Sequence, residues 1–127
     1  MVPLQEESES MLKRMSHVML FVADLERAVG WYEGKLGFAP RFVAPGAYAS
    51  LHHAEAGCRL DLHPTEASGR DVGFGPMPYF AVSDLDATLA TLRERGVKTG
   101  EPKREGSSPR FATIWDSEGN ALGLQEE

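Results

Sequence analysis

The 127-residue chain holds a single cysteine, Cys58. One thiol excludes an intramolecular disulfide framework and any CxxC zinc site. Basic residues are outnumbered: 13 Lys and Arg face 19 Asp and Glu, for a net charge of −6. Nucleic-acid binding needs a dense basic surface that neutralises phosphates, so this balance argues against a nucleic-acid partner. An acidic protein suits a cationic guest instead. Long apolar runs are also missing. The longest, Val18 to Ala23, falls well short of the roughly 20 residues that span a membrane. The start, Met1-Val2-Pro3-Leu4-Gln5-Glu6-Glu7, lacks the basic and apolar regions of a signal peptide. The expectation is a cytoplasmic protein with no membrane partner. Hydrophobic residues at 42% and charged residues at 25% give an ordinary globular composition, and the length suits one domain.

Residues 1–15 read as an acidic, loose tail, ending in a helical turn around Met11, Leu12 and Met15 that packs elsewhere. His17-Val18-Met19-Leu20-Phe21-Val22 reads as a buried strand. Asp24 is placed to cap a helix. Leu25, Ala28, Val29, Tyr32 and Leu36 recur on one helical face, and Gly37 ends it. Strands are expected over 38–44, 47–54 and 58–63. Pro64 to Pro76, with Gly69, Gly73 and Gly75, reads as a linker. The pattern then restarts: strand Tyr79-Phe80-Ala81-Val82, cap Asp84, a helix marked by Leu85, Leu89 and Leu92 that ends at Gly96, and strands near 97–103, 110–115 and 121–126. Asp116-Ser117-Glu118-Gly119-Asn120 is turn chemistry.

The restart is an internal repeat. Val22-Ala23-Asp24-Leu25 returns 60 positions later as Val82-Ser83-Asp84-Leu85, and Leu60-Asp61-Leu62 returns 62 later as Leu122-Gly123-Leu124. A strand–helix–strand–strand–strand unit is therefore present twice, over about 16–64 and 77–126, within one domain spanning 16–127. Neither copy buries much core alone, so the two should pack together or pair with a second chain. Within the strands, Leu and Val alternate with polar residues. The Leu/Val side faces the helices. The other side carries His17, Met19, Arg59, Asp61, His63, Met77, Tyr79, Gly123 and Gln125, which suits a wet, concave ligand surface.

The segments Ser16-His17-Val18-Met19-Leu20-Phe21-Val22-Ala23-Asp24-Leu25, Tyr79 to Leu85 and Asp116 to Leu124 resemble the vicinal oxygen chelate superfamily. That superfamily includes glyoxalase I, extradiol dioxygenases, and fosfomycin and bleomycin resistance proteins. The resemblance implies an α+β fold of two βαβββ modules. Their mixed sheets curl around a cavity with the helices outside, usually in a homodimer. It also implies four metal-ligand positions in the metal-dependent members. Two fall on His17 and Asp61, and the internal repeat carries these onto Met77 and Gly123. A thioether and a missing side chain are poor partners for a divalent ion. His63, two residues past Asp61 on the same face, offers a non-standard third ligand. The bland readings are a strand-edge His17 hydrogen-bonded in a semi-polar cavity and a His63 turned to solvent.

Arg59 shares a face with Asp61. It is either an internal ion pair standing where an ion would sit or an anion-binding group for a ligand. Trp115, Phe111, Tyr79, Tyr48 and Phe21 are either aromatic cavity walls or plain core. Trp31, off the main helical face, is expected under the tail or at a dimer contact. His52 and His53 read as unspecialised, Cys58 as an inert thiol, and 103–110 as an exposed connection or a lid. The favoured expectation is a small-molecule-binding protein of the bleomycin-resistance type with no cofactor. Its ligand would touch His17, Arg59, Asp61, His63, Tyr79, Trp115 and Gln125. The alternative is a divalent-metal-dependent lyase, isomerase or dioxygenase acting on vicinal oxygens.

Overall fold

A computed structural model describes residues 13–65 and 75–127, together with residues 11, 72 and 73. Most of the expected linker (66–71 and 74) and the start of the tail (1–10 and 12) lie outside the described residues. The elements run β1 (Val18–Val22), α1 (Leu25–Trp31), β2 (Ala39–Ala44), β3 (Tyr48–His53), β4 (Cys58–Pro64), β5 (Tyr79–Val82), α2 (Leu85–Glu94), β6 (Lys98–Thr99), β7 (Phe111–Trp115) and β8 (Ala121–Glu126). They form two four-stranded mixed sheets of matching order, β1-β4-β3-β2 and β5-β8-β7-β6. This is an α+β fold of two βαβββ modules.

The repeat survives at the level of register. The parallel pair β1–β4 sets Met19 opposite Asp61, and the parallel pair β5–β8 sets Tyr79 opposite Gly123. Both helices start as their sequences dictate. Asp24 accepts from the Arg27 N–H and Asp84 from the Ala87 N–H, each at 3.0 Å. These bonds satisfy amides that the first helical turn leaves open. The helices cover one face of each sheet, and Leu20, Val22, Leu60, Leu62, Leu122 and Leu124 are buried beneath them. The cores of the two modules merge into one cluster within this chain. Among the described residues no helix is long and apolar enough to cross a membrane.

Three details depart from the sequence expectations. The first helix does not run regularly to Gly37: its last stretch, Tyr32–Leu36, widens into a π-turn, and Gly37 closes it at φ +79°. The widening accompanies a buried Tyr32 whose hydroxyl donates to Asp116 Oδ2 in the other module at 2.8 Å. Trp31 packs edge-on against Tyr32, with ring centroids 4.9 Å apart. Met11 and Met15 are 94% and 81% exposed, and 13–17 has no regular structure, so these residues form no packed helical turn. The strand expected over 97–103 shrinks to Lys98–Thr99, with one further bridge from Lys103 to Phe111. Pro102, which has no N–H to donate, interrupts it.

Two polar clusters fix one module against the other. Glu118 Oε1 accepts the Ala23 and Asp24 N–H groups at 3.0 and 2.9 Å, and Arg27 clamps both its oxygens at 2.7 and 3.0 Å. Burial pushes the Glu118 carboxyl up, but these bonds outweigh it and bring its pKa to about 2. Asn120 donates to the Phe21 carbonyl at 2.9 Å and to Asp116 at 3.1 Å. The turn Asp116–Asn120 is thus also an inter-module latch.

Candidate functional site

The face of each sheet turned away from the helices is open. On the first module it carries Met19, Phe21, Phe42, Tyr48, Ser50, Arg59, Asp61 and His63, a set fixed by strand alternation and by the β3–β4 pairing of Ser50 with Asp61. On the second it carries Tyr79, Phe111, Thr113, Trp115, Gly123 and Gln125. Large apolar side chains stay in solvent there: Met19 is 39% exposed, Phe42 56% and Tyr79 51%.

Asp61 is the centre of the first face and is fully buried. Arg59 reaches it with two donors, Nε to Oδ1 at 3.0 Å and Nη2 to Oδ2 at 2.8 Å. The Tyr48 hydroxyl donates to Oδ2 as well. His17 Nε2 stands 3.6 Å from the same oxygen, and its Nδ1 lies 2.8 Å from Ser16 Oγ. Burial pushes the Asp61 carboxyl up, yet the bonds from Arg59, Tyr48 and Ser50 and the guanidinium charge bring its pKa to about 2. The bond to Asp61, with burial and the carboxylate charge, lifts the Tyr48 phenol above its ordinary range. Of the two readings left open for Arg59, the ion pair is formed.

The donors on these faces are arranged poorly for a divalent ion. Both Asp61 oxygens are engaged by Arg59. His63 shares the face but points along the strand end, with Nδ1 2.7 Å from the Pro64 carbonyl and its ring edge-on to Phe21 at 5.9 Å and Tyr48 at 6.1 Å. At Gly123 an added Cβ would fall 2.4 Å from the Tyr79 ring, so that ring fills the space a ligating side chain would need. Among the described residues no three His, Cys, Asp or Glu side chains converge as a metal site. These donors do not fit the four-ligand pattern.

The expected ligand-contact residues fall into two groups. His17, Arg59, Asp61 and His63 belong to the first open face. Tyr79 and Gln125 line a separate hollow on the second with Phe111 and Ser108, and Trp115 sits farther along that face with Lys98 Nζ over its ring at 5.0 Å. Sequence reasoning missed Ser50 and Arg41. Arg41 Nη1 donates to Ser50 Oγ at 3.0 Å, which joins two guanidinium groups and one carboxylate into a continuous polar line, Arg41–Ser50–Asp61–Arg59. Strand pairing could have found Ser50 but not Arg41, which lies at an irregularity in β2 between Pro40 and Phe42. His53 is specialised after all, as a structural bridge. Its Nδ1 accepts the Ala56 N–H at 3.0 Å, and its Nε2 lies 3.1 Å from the Leu36 carbonyl. Burial raises the Cys58 thiol, in keeping with an inert group.

Paired βαβββ modules with an open polar-aromatic face define a glyoxalase-type scaffold. The family model of the Glyoxalase/Bleomycin resistance protein/Dioxygenase superfamily matches residues 14–124, and the chain belongs to that superfamily. No curated protein matches the sequence significantly. Among solved structures it is similar to TnmS3, an antibiotic binding protein from Streptomyces sp. CB03234, at 26% identity over 93% of this chain and 98% of that one, with a TM-score of 0.78. It is also similar to a glyoxalase/bleomycin resistance protein from the same organism, at 29% identity over 86% and 99% of the two chains and a TM-score of 0.65. A bleomycin-binding protein from Streptomyces verticillus, complexed with copper(II)-bleomycin, shares the fold at 19% identity over 92% and 99%, with a TM-score of 0.72.

Proposed function

We propose that this chain binds a small organic molecule on its open faces without a resident metal ion. One observation carries the reading: Arg59 holds both oxygens of Asp61, the best-placed carboxylate, while Tyr79 fills the space over Gly123. A guanidinium supplies the positive charge that a divalent ion would otherwise supply, and it leaves no vacant coordination position. The faces are instead equipped for stacking and hydrogen bonding. Phe42, Tyr48 and Tyr79 offer ring surface, and His17, His63 and Gln125 offer polar contacts at its edges. An antibiotic-binding protein among the similar structures supports the same class of function.

Two copies of the chain would complete the site. The first open face of one copy then lies against the second open face of its partner, which joins the two residue groups and covers the exposed Met19, Phe42 and Tyr79. Titrating a panel of polycyclic aromatic antibiotics into the protein in EDTA, followed by tryptophan fluorescence, tests the binding. Light scattering tests the dimer. Saturable binding in chelator at one ligand per site supports the proposal. Binding that appears only after a divalent ion is added overturns it in favour of the metal-dependent alternative.

A further inference from the structure

The open faces are not uniform in charge. At the lower end of the first one, where β1 begins, a cleft of about 640 Å³ runs between the approach to β1, the end of β3 and the start of β4. Among the described residues its lining includes Arg14, Arg41, Arg59, His17, His52 and His53, and no Asp or Glu. Three arginines thus share one cleft in a chain whose net charge is −6. The carboxylate that Arg59 meets, Asp61, is buried and already matched by that guanidinium. Arg41 is exposed, is oriented by Ser50 Oγ, and forms no ion pair among the described residues.

We propose that this cleft selects an organic anion, an aromatic molecule carrying a carboxylate or phosphate. The assignment rests on the binding function proposed above and names its ligand class. The anionic group sits against Arg41 and the outer edge of Arg59, with Arg14 and His52 at the rim. Arginine forks match carboxylate and phosphate geometry, and two of them bridged through Ser50 and Asp61 are held before the ligand arrives. The ring of the ligand runs toward Tyr48 and Phe42, whose centroids are 6.4 Å apart. The cationic guest suggested by net charge is therefore replaced by an anionic one, because a ligand responds to charges within about 10 Å rather than to the whole-chain total.

The test is an amide NMR titration of the full chain with three probes of one ring size: phenyl phosphate, benzyl alcohol and phenyltrimethylammonium. The expected result is saturable shifts at His17, Val18 and His52 to Cys58 with phenyl phosphate, at least about tenfold tighter than with the other two and weakened by added salt. Arg41→Gln should weaken phenyl phosphate at least about fivefold, and Arg41→Lys should restore part of it. Arg93→Gln, on α2, should leave it unchanged. Equal affinity for the cation, no effect of Arg41→Gln, or shifts elsewhere would overturn the assignment. If phenyl phosphate fails while a neutral aromatic guest binds the open faces, the ligand class falls and the binding function stands. If nothing in either panel binds, both fall.

Discussion

Replacing Arg59 by Leu should strand a buried carboxylate, and the size of the loss follows from the geometry. Asp61 has no exposure of its own, and its pKa of about 2 lies below the 3.8 of a free aspartate. That difference contributes about 2 kcal/mol of stability at neutral pH. The sign follows from linkage: a depressed carboxyl stabilises fully above about pH 4, and the contribution disappears as pH falls towards about 2. Arg59→Leu removes two charge-assisted hydrogen bonds and the neutralising charge, and the cost at pH 7 should be about 3 kcal/mol. The Asp61 carboxyl should then titrate higher than in the wild type, since burial remains and the guanidinium does not. The double variant Arg59→Leu with Asp61→Leu should recover most of the loss, because no charge is left buried. Urea unfolding at pH 7 and pH 2.5, with carbon-13 NMR of the Asp61 carboxyl, reads all three. An Arg59→Leu loss below about 1 kcal/mol, or a wild-type Asp61 that titrates near 4, would refute the reasoning.

Three further outcomes follow from the inter-module contacts and from Gly123. Glu118→Gln should cost about 1–3 kcal/mol at pH 7, and urea unfolding should show its gap from wild type closing as pH falls from 4.5 towards about 2. Tyr32→Phe leaves Asp116 Oδ2 without its buried hydroxyl donor and should cost about 1–2 kcal/mol, with thermal unfolding remaining a single transition. Gly123→Ala should displace the Tyr79 ring, a change visible in its aromatic NMR shifts. Because that ring is 51% exposed and can swing aside, the cost should stay near or below about 1 kcal/mol and vanish in a Tyr79→Ala background.

The sequence carried the architecture well, because the features that build it are periodic or local. A sixty-residue offset repeats the strand, the Asp cap and the helix, and alternation in Leu60-Asp61-Leu62 separates the helix side from the open side. Arg59 and Asp61 could be paired in advance because residues two apart on a strand share a face. What stayed hidden depends on partners far apart in the chain. Tyr32 looks like an ordinary helix-face aromatic until Asp116 meets it, and Glu118 looks like a turn residue until Arg27 clamps it. Arg41 was invisible because the irregularity in β2 breaks the alternation that would have placed it. His53 was misjudged for the same reason: its role comes from Ala56 and from Leu36, at the end of a π-turn that no local propensity announces.

The proposed function requires that Arg59 stands where a divalent ion would otherwise be needed. The most direct test is elemental analysis of protein purified without chelator or affinity-tag metal, together with thermal unfolding in Ni, Zn, Mn, Mg and Fe(II). A tightly bound ion raises the melting temperature by mass action. Metal should be substoichiometric, and none of the five ions should raise the melting temperature. Stoichiometric metal that is lost in His17→Ala or Asp61→Ala would show instead a working metal site at these residues.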